Sequence, residues 1–170
     1  MNDRQLLAPA FPADNGEADP RVVTAIASYA AGECRYVDTL AVLQATRVLV
    51  PVVAILGEVE VDDAGLAHDK SSDMAAVLMT GADGRLALLA FTSTDTLAGW
   101  NPDARPVPVA LSTAARAAVQ EDAVAMVLDV AGPEPFVIEG DDLRAVASGW
   151  TLATIGDDVA WIGPASAPPA

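Results

Sequence analysis

The densest chemistry in the sequence lies between Glu58 and Asp73, where Glu58, Glu60, Asp62, Asp63, Asp69 and Asp73 set six carboxylates in one stretch. A hard cation such as Ca²⁺ takes oxygen ligands of this kind. The order is wrong for a calcium loop: Asp62-Asp63-Ala64-Gly65 lacks oxygens at alternate positions followed by Gly and a terminal Glu. A solvated acidic loop accounts for these charges, and no metal site is expected. The adjoining His68-Asp69-Lys70-Ser71-Ser72-Asp73 contains the residue types of a hydrolytic triad. Triads assemble from distant parts of a fold, and neither G-x-S-x-G nor S-x-x-K occurs here. Ser71, Ser72 and Asp73 have a local use, bonding nearby backbone where the loop enters the next strand. No catalytic residue is assigned, and the reading leans away from an enzyme.

The remaining reactive residues stand alone. Cys34 is the one cysteine and His68 the one histidine, which excludes an internal disulfide and a thiolate or imidazole cage within one chain. Cys34 follows a helix ending near Gly32, whose C-terminus disfavours a thiolate while Arg35 favours one, so it reads as a structural thiol. Neither G-x-x-x-x-G-K nor G-x-G-x-x-G occurs, so no nucleotide or other cofactor is expected. Trp100, Trp150 and Trp161 each fall at an element boundary, where a large ring closes a small core.

One set of polar residues is expected to converge. Lys70, Ser71, Ser72 and Asp73 lie just before a β-hairpin, and Thr92, Ser93, Trp100 and Arg105 lie just after it. The two ends of an antiparallel hairpin return to each other, which would gather a polar patch with an aromatic wall. Such a patch would dock another protein or, alternatively, bind a small polar metabolite such as an amino acid. In the second case Arg105 would take the carboxylate and Asp73 the ammonium. A concave pocket would favour the metabolite, and a flat apolar patch the protein.

The elements that position these residues follow from periodicity and turn chemistry. Asp19-Pro20 starts a helix with Val22, Val23, Ile26, Tyr29 and Ala30 on one face and Gly32 as its stop. A second helix is predicted over Asp38 to Ala45. Arg47 to Leu56 reads as a strand, with Pro51 implying an edge or a bulge. Gly57 to Asp73 reads as a strand extension and loop. Met74 to Thr80 and Arg85 to Phe91 form a hairpin across Gly81-Ala82-Asp83-Gly84. Ser93 or Thr94 caps a short helix, Arg105 to Val109 is extended, and Ser112 caps a helix to about Glu121. Val124 to Val130 pairs with Pro135 to Ile138, Asp141 to Ser148 is a helix, and Trp150 to Ile155 pairs with Val159 to Ile162. Hairpins alternating with short helices give an α+β fold, with a mixed, mainly antiparallel sheet.

The 170 residues, 17.4 kDa and 52% hydrophobic content suit one folded domain. Residues 19–162 form that domain, flanked by flexible tails over 1–18 and 163–170. A net charge of −15 repels phosphate backbones and anionic lipid, so neither nucleic acid nor membrane is an expected partner. The apolar run from Leu40 to Leu56 is interrupted by Gln44, Arg47 and Pro51, short of the about 20 residues that span a bilayer. With no export-length apolar stretch near Met1, the expected location is the cytoplasm. A homodimer stays open, through the strand holding Pro51 or the Ala-rich helix from Ala114 to Val119.

Lys70-Ser71-Ser72-Asp73-Met74, the hairpin, Leu89-Ala90-Phe91-Thr92-Ser93, Trp100, Arg105-Pro106-Val107-Pro108-Val109, the closing Leu143 to Trp150 and Trp161 together resemble the actinobacterial SseB family, the enhanced-serine-sensitivity domain. The resemblance runs over about residues 20 to 162. It implies a cytoplasmic α+β domain and carries no reaction or catalytic residue.

Overall fold

The computed structural model describes residues 11–54, 74–156 and 158–164. Among these, five helices and nine strands form an α+β fold with three mostly antiparallel sheets. Helix α1 (Pro20–Ala30) begins where Asp19 accepts the Arg21 N–H at 2.8 Å, and it ends before Gly32, whose φ of +73° suits glycine. Its buried residues are Val22 and Ile26, whereas Val23 and Tyr29 are exposed. Helix α2 (Tyr36–Gln44) starts two residues earlier than its sequence suggests. Asp38 does not open the helix but sits in its first turn, accepting from the Arg35 N–H and guanidinium.

Strand β1 (Arg47–Ala54) corrects one of the two alternatives drawn from Pro51, that of an edge strand. It is central, between β2 (Met74–Ala76) and β5 (Arg105–Ala110), in the order β2-β1-β5. The missing proline donor is accommodated by a bend. Leu49 exchanges both backbone bonds with Phe91, at the end of β4 (Leu86–Ala90), and beyond that contact β1 and β4 part. Strand β2 follows β1, and β3 (Leu78–Thr80) follows β4. Val77 sits at the corner: its N–H donates to Pro51 and its carbonyl accepts from Leu89. Pro51 therefore falls where the neighbouring chain asks for no donor. Pro106 and Pro108 in β5 face Pro51 and Leu49 in register, so their missing donors point to the outer edge, which resists further strand addition.

The hairpin expected from Met74 to Phe91 is thus shorter than its sequence suggests, because only Leu78–Thr80 pairs with β4. From β4 the chain passes through α3 (Thr94–Trp100), β5 and α4 (Leu111–Gln120) to β6 (Ala125–Leu128), which lies parallel to β4. Strand β7 (Phe136–Glu139) completes a sheet ordered β3-β4-β6-β7. Helix α4 starts at Leu111 with Ala110 before it, so Ser112 is not its cap. Burial of Leu111, Ala114, Ala115 and Ala118 fixes its phase instead. Helix α5 (Gly140–Ala147) stops before Gly149, at φ +74°, and the pair β8 (Thr151–Ile155) and β9 (Asp158–Ile162) follows. Gln44 clamps this hairpin with both ends of its amide, donating to the Trp150 carbonyl and accepting the Leu152 N–H. Trp161 adds a bond from Nε1 to Asp142 at 3.1 Å.

Alternation along the four-stranded sheet splits the core in two. Leu88, Ala90, Met126, Leu128, Phe136 and Ile138 face α4, α5 and α1. On the other face Leu89 and Phe91 meet Leu97, with the half-buried Trp100 tilted over Phe91 at 5.6 Å between ring centroids.

Candidate functional site

The crossover from β4 to β6 sets the carboxyl ends of two parallel strands side by side, with Thr92 after one and Asp129 after the other. Asp129 is only 7% exposed. Its carboxylate accepts the Thr92 N–H at 2.9 Å and the Thr92 hydroxyl at 2.6 Å, while its own N–H donates to Ala90. Its φ of +52° belongs to a tight loop, a conformation aspartate tolerates better than most residues. Gly132 closes the loop by donating to the Asp129 carbonyl at 2.7 Å. A Cβ there would stand 3.1 Å from that oxygen, so the closure favours glycine.

Beside this pair runs a polar seam. The Arg47 guanidinium meets the Asp14 carboxylate through two 3.0 Å bonds and also donates to the carbonyls of Thr92 and Glu17. Both side chains are largely buried, 12% and 11% exposed. Burial pushes the Asp14 carboxyl up, but the Arg47 hydrogen bonds and charge and the Gly16 N–H outweigh it and hold the group below the usual carboxylate range. The Gly16 carbonyl in turn accepts the Thr94 N–H at 2.8 Å. Residues 14–17, assigned to a tail by composition, are therefore tied to the head of α3.

Among the described residues, the polar side chains expected to converge separate into groups. Lys70, Ser71, Ser72 and Asp73, and the rest of the acidic stretch from Glu58, lie outside the described residues. Thr92 and Ser93 stand at the Arg47 end of β1; Thr92 bonds Asp129, and Ser93 caps α3 by accepting the Thr96 N–H at 3.1 Å. Trp100 is engaged with Phe91. Arg105 is exposed and opposite Val52, five residues along β1 from Arg47, a separation of about 16 Å at 3.3 Å per residue. Met74 pairs with Ala54, so the hairpin opens toward the Arg105 end of β1 and away from Thr92. The bend at Val77 is what keeps the two ends apart.

Sequence reasoning missed Asp129, Asp14 and Arg47. Asp129 had a visible turn signal in Asp129-Val130-Ala131-Gly132, but nothing in the sequence pairs it with Thr92. Cys34 lies in a groove between α1 and α2, its Sγ 3.3 Å from the Thr39 hydroxyl and 3.6 Å from the Ala25 carbonyl, in keeping with a structural thiol. Among the described residues no group of three or more metal-ligating side chains gathers, and no helix is long and apolar enough to cross a membrane.

A second feature lies on the sheet itself. The face of β3-β4-β6-β7 turned away from α4 and α5 carries buried Ala87 and Ala125, Met79 and Val127 packed partly against the Leu89 and Phe91 cluster, and Val137; among the described residues α3 covers the part beside Leu89 and Phe91. Val137 and the neighbouring Val124 are 40% and 42% exposed. Asp83, Arg85 and Glu139 rim this face, with Asp83 and Arg85 paired at 2.5 Å.

Among the described residues the architecture is that of a small α+β domain with one sheet face fully covered by helices and the other covered in part. The chain belongs to the SseB family: the model of the SseB protein N-terminal domain matches residues 22–145. That match ends inside α5, so the β8–β9 hairpin lies beyond it. No curated protein and no solved structure matches the chain.

Proposed function

We propose that this domain is a non-catalytic protein-binding module whose docking surface is the open face of the β3-β4-β6-β7 sheet. The observation that carries the reading is the exposure of Val124 and Val137 beside half-buried Met79 and Val127 on a shallow face of the sheet. A shallow apolar face suits another protein better than a metabolite. The occupant is a partner segment with apolar side chains at its centre and cationic residues at its rim. Charge complementarity supports this choice, since the chain carries −15 and the two carboxylates at the border, Asp83 and Glu139, outnumber Arg85, the one described cation between them. A cytoplasmic setting agrees with a single cysteine, Cys34.

The test is site-specific photo-crosslinking in the native cytosol, with the photoreactive residue at position 137 and, as control, at exposed Val119 on α4. One discrete adduct from position 137, lost on Met79→Glu and retained on Arg105→Ala, supports the reading. Equal adducts from both positions, or none from 137, overturn it.

A further inference from the structure

Between α1 and the carboxyl ends of β4 and β6 lies a cavity of about 210 Å³. It occupies the crevice outside the ends of two adjacent parallel strands, where such sheets commonly receive ligands. Val23, Ile26 and Ala27 of α1 give it an apolar wall. Asp129 and Glu134 give it two carboxylates, and among the described residues no arginine, lysine or histidine lines it. Thr92, Ser93 and Thr96 add hydroxyls.

The decisive feature is the charge balance at Asp129. A carboxylate this deeply buried is costly unless a cation or several donors answer it. Among the described residues its side-chain partners are the two neutral donors of Thr92, one on each oxygen. Each carboxylate oxygen has a further lone pair to offer. The adjacent cation, Arg47, is committed to Asp14 and to the carbonyls of Thr92 and Glu17. We infer that this cavity is a binding site for a small organic cation, a primary ammonium on a short apolar body, with the ammonium on Asp129 and the body against Val23 and Ile26. A bare divalent cation is a poorer fit, because most of the lining is hydrocarbon and two carboxylates are present among the described residues. The volume lies below the about 300 Å³ at which drug-sized sites begin, so the occupant is small. This site is separate from the open sheet face and does not depend on it.

The test is titration of the full chain with n-butylammonium, followed through the amide signals of Thr92 and Asp129 and the methyl signals of Val23 and Ile26. Sodium butyrate and n-butanol are the matched anionic and neutral probes. Saturable shifts with butylammonium, weakened about tenfold or more by Asp129→Asn, support the site. Asparagine keeps one acceptor for Thr92, so the loop retains a partner. Should that variant fail to fold, Ala27→Phe decides: it places a ring from the exposed side of α1 into the cavity and leaves the Asp129 to Thr92 bonds untouched. Loss of butylammonium binding with an unchanged Tm then supports the proposal. Binding of butyrate or butanol as strong as that of butylammonium overturns it, as does unaltered binding in a folded Asp129→Asn or Ala27→Phe variant, or no saturable shift at all.

Discussion

The two faces of the β3-β4-β6-β7 sheet are built from the same strands and meet different fates. Along β7, Phe136 and Ile138 are 1% and 0% exposed, whereas Val137 between them is 40% exposed. Strand pleat sends alternate side chains to opposite faces, so the contrast arises from what packs on each side and not from composition. On the closed side α4 and α5 bring Ala-rich surfaces that let the helices sit close, and Tyr36 stacks on Phe136 at 5.1 Å between ring centroids. On the open side α3 reaches only the Leu89 and Phe91 end. Among the described residues, stability is therefore concentrated on one face.

The largest expected effect tests the closed face. Phe136→Ala removes a ring held between Tyr29 and Tyr36 and leaves a cavity, at a cost of about 4 kcal/mol. Urea unfolding should show a lower midpoint with an unchanged slope. Next comes the polar seam that closes the domain where the helices do not. Arg47→Ala strands the buried Asp14 carboxylate and should cost about 3 kcal/mol. The same seam has a defined acid dependence. Because the Asp14 carboxyl is held below its unfolded value, its contribution is complete above about pH 4 and is lost as pH falls through the folded pKa. The Tm difference between wild type and Asp14→Asn should thus be largest near neutrality and shrink below pH 4; a constant difference would remove ionisation from the explanation. Gly16→Ala attacks the seam through the backbone. Gly16 has φ +79°, and a Cβ would fall 2.6 Å from Thr94 Cγ2, so a loss of about 1 to 2 kcal/mol is expected in thermal melts.

Local signals explain what the sequence could tell. The Asp19 cap, the Ser93 cap, the Asp83-Gly84 turn and the pairing of β6 with β7 each depend on residues close in the chain, and each is found in the fold. Failures occur where a distant strand decides. Pro51 allows an edge or a bulge, and the choice is made only when Val77 turns its carbonyl to Leu89 and leaves Pro51 with no acceptor to satisfy. Ser112 looks like a cap until burial of Leu111 sets where α4 begins. The same limit governs the candidate site. Thr92 and Ser93 were visible as polar residues after a strand, but their neighbour Asp129 arrives only through the parallel pairing of β4 with β6, and the register of β5 on β1 sets Arg105 opposite Val52, away from them. Parallel pairing across a long crossover has no local signature of comparable strength.

The smallest expected effect is the sharpest test of the comparison. Val137→Lys puts a charge beside the residues whose truncation costs most, yet its side chain points to the open face, where it can remain in water. Stability should change by less than about 0.5 kcal/mol, while crosslinking from a photoreactive residue at exposed Val124, beside the same face, should be lost. Equilibrium unfolding of Val137→Lys and Phe136→Ala in parallel decides the matter. A cost for Val137→Lys approaching that of Phe136→Ala would mean that this face is packed within the chain itself, and the docking surface would have to lie elsewhere. A silent Val137→Lys, with partner capture abolished, would mean that one strand carries the fold on its even-numbered residues and recognition on its odd-numbered ones.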